Sequence, residues 1–263
     1  MHLKLISLFL FLIICTPLLL AQHFDAKMEE ARATYQSGNI EVAMAQIEAI
    51  LNDEAILDTP KFFAEAVTLK GTLLREHRDF INAEAQHSLA LKVREKTFGK
   101  NSLEAARSLS NLGNIALELE DFNTAKNYFS QSLSIHHEIG TDKKGEAFSP
   151  ILGLAKMALG NEDIGNAKMW FDQLKTQIEI SKSSQKERAF NSLLIAYFEA
   201  NDQLAVADSL SKATKSFYEN NPFLKAEFLL KNAQIKISQL RLNEAEIQSV
   251  SYTHLTLPTI CSV

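Results

Sequence analysis

Cysteine is nearly absent: of 263 residues only Cys15 and Cys261 carry a thiol, and they lie near opposite ends. That excludes a disulfide framework and any paired Cys-x-x-Cys metal or redox motif. A body without thiols suits an oxidising compartment, because nothing in it can mispair. An excess of basic charge is missing too. With 27 Lys+Arg against 32 Asp+Glu the chain is net −5. It lacks the electrostatic footprint that phosphate neutralisation requires, so a nucleic-acid partner is excluded. The short catalytic signatures are absent as well: no Gly-rich loop ending in Gly-Lys-Ser/Thr, no His-Glu-x-x-His and no Gly-x-Ser-x-Gly. No cofactor, no metal and no enzymatic activity are expected.

Long apolar runs are absent with one exception. Met1 to Lys4 is a short basic start and Leu5 to Leu20 is almost unbroken apolar sequence. This run is shorter than the roughly 20 residues of a comfortable bilayer span. It reads as the core of a secretory signal over residues 1–21, with Ala21 as the small residue before a cut, although Leu19 is bulkier than such sites prefer. Ile13 and Ile14 argue against Cys15 as a lipid acceptor. The expectation is an exported chain, periplasmic or extracellular, with no membrane span in its mature part. Cleavage would remove one charge, Lys4, and leave the body slightly more acidic.

What is present is a repeat. Ala43, Ala83, Ala125, Ala167, Ala207 and Ala245 recur at intervals of 40, 42, 42, 40 and 38 residues. Three positions before each is an apolar residue: Ile40, Phe80, Phe122, Ile164, Leu204 and Leu242. One position earlier again stand Asn39, Asp79, Asp121, Asp163 and Gln203, with Arg241 as the exception. Asp and Asn at that point can cap a helix start, and Gly38 just upstream can end the preceding helix in the left-handed region. Twelve residues before each alanine lies a second slot, Ala31, Gly71, Gly113, Ala155, Ile195 and Ala233, small in five cases of six. Small residues there let two helices of a hairpin approach, while Leu109, Leu112, Phe129 and Leu133 of the third unit, and Ile151, Leu154, Phe171 and Leu174 of the fourth, fill the flanks.

Leu112-Gly113, the Asp121-Phe122 turn, Ala125 and Phe129 resemble the tetratricopeptide signature. The stretch from Ala90 to Gly113 resembles the longer, kinesin-light-chain-like variety, which in bacteria often precedes a caspase-like CHAT domain. The resemblance covers residues 24–248. It implies an all-α fold, a right-handed superhelical solenoid of about six antiparallel helix pairs over residues 22–249. His87, Ser211 and Lys236 depart from the family pattern, and HEAT-type repeats of similar period are the alternative. The resemblance further implies a concave groove lined by the first helix of each pair. The residue after the small slot would face it, which places Arg32, Thr72, Asn114, Lys156, Ala196 and Gln234 there, with Arg75 one turn beyond Thr72. Asn114 stands out, because an amide can donate to and accept from an extended peptide. Arg32, Arg75 and Lys156 suggest a protein or peptide ligand of acidic character.

Other polar residues have plainer readings. Glu84 and His87 share a helix face but no further ligand joins them, so His87 is expected to be packed or half-exposed. His136 and His137 point about 100° apart on a helix and read as a helix end. Trp170 is expected in the core, and the charged stretch Lys92 to Lys96 as a solvated face. The last segment, Val250 to Val263, has no charged residue, contains Pro258 and continues no helix. It resembles read-through of a sequencing adapter, which would make the array the amino-terminal arm of a longer protein of CHAT type. The alternatives are the extracytoplasmic sensor region of a signalling protein and a free-standing periplasmic scaffold.

Overall fold

The computed structural model describes residues 20–161, 163–200 and 203–215. Ten helices run through these residues: α1 (20–36), α2 (Ile40–Leu51), α3 (Pro60–Glu76), α4 (Phe80–Phe98), α5 (Leu103–Glu118), α6 (Phe122–Glu138), α7 (Phe148–Gly160), α8 (Ile164–Ser181), α9 (Ser184–Ala200) and α10 (Leu204–Thr214). Ile40, Phe80, Phe122, Ile164 and Leu204, the apolar residues of the repeat, each open the second helix of a pair. There is no strand among the described residues. The residues of the expected sixth pair, residues 1–19 of the expected export signal and the tail at 250–263 lie outside them.

Each pair is joined by the same turn. The backbone N–H of Asn39, Asp79, Asp121, Asp163 and Gln203 donates to the carbonyl five residues back, at 2.8–3.2 Å. In the first three pairs the preceding residue has positive φ and donates three residues back, which completes a Schellman ending. Gly38 (φ 87°) takes that left-handed position at no steric cost, whereas Arg78 (φ 61°) and Glu120 (φ 59°) hold it with a side chain. Asp79, Asp121 and Asp163 then cap the next helix, accepting from the N–H of Asn82, Thr124 and Asn166 at 3.3, 3.1 and 3.1 Å. One aspartate thus closes one helix with its backbone and opens the next with its carboxylate. Asn39 and Gln203 make no side-chain cap, contrary to the expectation for Asn39.

The chain divides into two compact units, residues 1–141 and 142–263. In the first, α1/α2, α3/α4 and α5/α6 are antiparallel pairs. Its core runs from Phe24, Met28 and Ala31 on α1 through Ala43 and Ile47 on α2 to Phe62, Ala66, Leu69 and Leu73 on α3. In the second, α7 pairs with α8 and α9 with α10. Phe171 of α8 stands edge-on to Phe190 and Tyr197 of α9, with ring centroids 6.0 and 5.3 Å apart. Gln177 on α8 ties down the entry to α7, accepting from the N–H of Ala147 at 3.1 Å and donating to the carbonyl of Asp142 at 2.8 Å.

The five described marker alanines have no exposure at all. A larger side chain at those points would separate the helices of the pair. The slot twelve residues earlier is buried in every described unit, including Ile195. At Gly113 the approach is closest: a Cβ would lie 2.6 Å from the Phe129 ring. Two expectations need correction. Trp170 is half-buried and not part of the core, because Phe171 beside it turns inward. Arg94, within the stretch expected to be solvated, is buried with its guanidinium bonded to Ser108 on α5 at 2.7 Å. His136 is also buried, its Nδ1 2.7 Å from the Thr141 hydroxyl, so it fills space as well as ending a helix.

Candidate functional site

The described residues that the repeat register assigns to a partner lie on first helices, where the framework buries one side and leaves the next residue round the helix partly open. Ala31, Gly71, Gly113 and Ala155 face inward. A step of 100° along the helix carries Arg32, Thr72 and Asn114 to half-buried positions and Lys156 to an exposed one. The same packing that forces the slot to be small therefore presents its neighbour to solvent.

In the first unit this face is polar and largely self-paired. Arg32 on α1 donates to Glu29 on its own helix and across to Glu65 on α3. Partial burial works against its charge, but the bonds to Glu65 and Glu29 outweigh it and hold the guanidinium pKa above its ordinary value. Thr72 bonds back to the carbonyl of Thr68 at 3.1 Å. Arg75 reaches Glu76 at 2.7 Å. Tyr35 on α1 lies close to this pair, and burial first, then the Glu76 carboxylate, push its phenol pKa up. Asn114 on α5 makes no hydrogen bond with its amide among the described residues. Arg32 and Arg75, two of the cations that suggested an acidic ligand, are thus already paired with glutamates.

The second unit presents a different surface. Lys156 on α7 lines a cleft of about 460 Å³ with Leu152 and Leu159 of its own helix and Ala189, Ser192, Leu193 and Ala196 of α9. Lys156 and Ala196, residues of the same repeat slot in adjacent pairs, border one space. Gln234 lies outside the described residues. Arg32 stands on α1, Thr72 and Arg75 on α3, and Asn114 on α5 of the first unit.

One buried group in the first unit departs from the repeat pattern. His87 on α4 occupies the position held by Phe129 in α6 and Phe171 in α8, and it has 2% exposure. Its Nδ1 has no hydrogen-bond partner. Burial, then the positive charges of Arg75 and Arg94, lower its pKa to about 4, so it is a neutral packing element at ordinary pH. The clue in the sequence was its departure from the repeat pattern. No group of three or more His, Cys, Asp or Glu able to hold a metal occurs among the described residues. No helix among them is long and apolar enough to cross a membrane.

Residues 63–136 match the tetratricopeptide repeat family model. No curated protein matches the chain significantly in sequence. Solved structures similar to it include BtubC (BKLC) from P. vanneervenii, at 13% identity and a TM-score of 0.56, covering 87% of this chain and 92% of that one. A Rap protein complexed with Competence and Sporulation Factor is similar at 12% identity and a TM-score of 0.63, covering 90% and 77%. Nearly identical TPR-like repeats from Podosopora anserina are similar at 13% identity and a TM-score of 0.51, covering 75% and 96%. At these identities the likeness concerns the fold alone.

Proposed function

We propose that this chain, whose residues 63–136 are tetratricopeptide repeats, is an exported protein-interaction module that holds an extended segment of a partner against its first helices. The observation that carries the reading is the recurrence of one register position, Arg32, Thr72, Asn114 and Lys156, as a partly open side chain next to a buried small residue. A fixed framework with a variable residue at each step is how such repeats separate folding from recognition. The complex of Rap with Competence and Sporulation Factor is an instance of a ligand held by a protein of similar fold. The role is that of a scaffold rather than a catalyst.

Photo-crosslinking tests the binding face. A photoreactive residue placed at Asn114 should give discrete protein adducts in the native host, whereas one at Ile81, which is 78% exposed on α4, should not. Equal labelling from both positions would remove the reading. Export is tested separately. Residues 1–21 fused to alkaline phosphatase should give periplasmic activity, and none would place the module in the cytoplasm. The further proposal that the array recruits partners for a larger protein of CHAT type is tested by sequencing the source DNA beyond codon 249.

A further inference from the structure

Within the first unit, α5 differs from the other two first helices. From Ala105 to Ala116 every residue of α5 is buried except Arg107, Asn111 and Asn114. Together with Glu118 these follow one another at steps of four, three and four residues, which sets all four within about 60° of one line along the helix. Arg107 and Glu118 are exposed and the two asparagines half-buried. None of the four makes a hydrogen bond or an ion pair with its side chain among the described residues. On α1 and α3 the corresponding face is taken up within the chain: Arg32 bonds Glu29 and Glu65, Thr72 bonds its own helix, and Glu76 holds Arg75.

Each asparagine amide offers an acceptor oxygen and two N–H donors. Two such amides one turn apart suit a backbone whose own N–H and C=O groups are free. An extended segment has them free, whereas a helix has already bonded them internally. The two ends of the stripe carry opposite charge. Arg107 acts on the buried Arg94, whose guanidinium is held below its ordinary pKa by burial first and then, with Glu65 and Glu104 opposing, by the Arg107 charge. A carboxylate brought to Arg107 offsets that repulsion. Glu118, at the far end, offers the reverse. At 1.5 Å per residue the two ends stand about 16 Å apart along the helix axis, which about five residues of extended chain span at roughly 3.3 Å each.

We infer that α5 binds an extended segment of a partner that carries an acidic residue and, about five residues away, a basic one. The acid meets Arg107, the base meets Glu118, and the backbone between them bonds the amides of Asn111 and Asn114. This rests on the protein-binding reading above and names the chemistry of the partner. Charge complementarity at both ends selects the occupant: a uniformly acidic segment is repelled by Glu118, and a uniformly basic one by Arg107 and Arg94. Arg32 and Arg75, held by glutamates of the chain itself, add no acidic preference in this unit.

The test uses the full chain and two peptides of one composition, acetyl-Ala-Glu-Thr-Val-Thr-Val-Lys-Ala-amide and acetyl-Ala-Thr-Val-Glu-Lys-Thr-Val-Ala-amide, titrated at low ionic strength with ligand-observed NMR. Only the spacing of the two charges differs, and the β-branched residues favour an extended chain in both. The widely spaced peptide should bind roughly fivefold more tightly, the scale of two exposed ion pairs. Arg107→Gln combined with Glu118→Gln, two exposed residues that bond nothing in the fold, should bring the peptides to parity. Asn111→Ala combined with Asn114→Ala should weaken both peptides and leave their ratio unchanged. Equal binding by the parent, no binding of either peptide, or a spacing preference that survives the double glutamine variant overturns the inference. Each of these outcomes leaves the protein-binding reading in place, since that stands or falls on the crosslinks at Asn114.

Discussion

The imidazole of His87 lies against Gly71: a Cβ at that glycine would sit 3.0 Å from both Cε1 and Nε2 of the ring. In the next pair Phe129 meets Gly113 in the same way, with the nearest ring atom 2.6 Å from a Cβ there. Helices of a pair meet here through a ring laid on bare backbone, and one pair uses a ring that can take a proton.

That proton sets a pH dependence. The folded-state pKa of His87 is lowered to about 4, from 6.5, mainly by burial and then by Arg75 and Arg94. Between those values the unfolded chain binds the proton more readily, so stability is full above about pH 6.5 and falls as the pH drops towards 4. The loss is roughly 3 kcal/mol in total. Urea unfolding of the parent and of His87→Phe at pH 7 and pH 4 should show the parent losing more by about that amount. Parallel losses would mean that His87 titrates as it does in water.

The Phe129 contact predicts the effect of crowding the slot. Gly113→Ala should lower stability by about 1–2 kcal/mol, because the clash exceeds the helix-propensity gain. Gly160→Ala, at the end of α7 with nothing within 4 Å of the new methyl, should raise it slightly, by about 0.5 kcal/mol. Thermal melts followed by circular dichroism would show the opposite signs, and a stabilising Gly113→Ala would contradict the packing described.

Arg94 and Ser108 form a buried polar contact between α4 and α5. Ser108→Ala should cost about 1–3 kcal/mol, since it strips a partner from a desolvated guanidinium. Adding Arg94→Met should recover part of that loss, because the aliphatic stem is kept and the charge is gone. A double variant no more stable than Ser108→Ala would show that the guanidinium finds another partner.

Glu120 holds a left-handed conformation that a side chain disfavours. Glu120→Gly should therefore stabilise the α5/α6 turn by about 1 kcal/mol, less the added freedom of glycine in the unfolded chain. Denaturant midpoints would register it. A fall in stability would mean that the Glu120 side chain contributes more than its backbone strain costs.

Much of this protein is written locally. The positions of Ile40, Phe80, Phe122, Ile164 and Leu204 mark where helices begin, because the backbone bond that closes each turn, and the aspartate cap at Asp79, Asp121 and Asp163, are decided by residues within one turn of each other. The buried alanines follow for a related reason: hairpin partners are about twelve residues apart, and only a small side chain suits the crossing. The sequence by itself therefore determined the all-helical pairs, their turns and the residue that opens outward in each. Tertiary structure alone decided what those outward residues meet. Whether Arg32 is paired depends on Glu65, 33 residues away on another helix. Whether Arg94 is solvated depends on Ser108 of α5 facing it. Lys156 and Ala196 border one cleft only because α9 packs beside α7, since which side chains share a space is set after the helices pack.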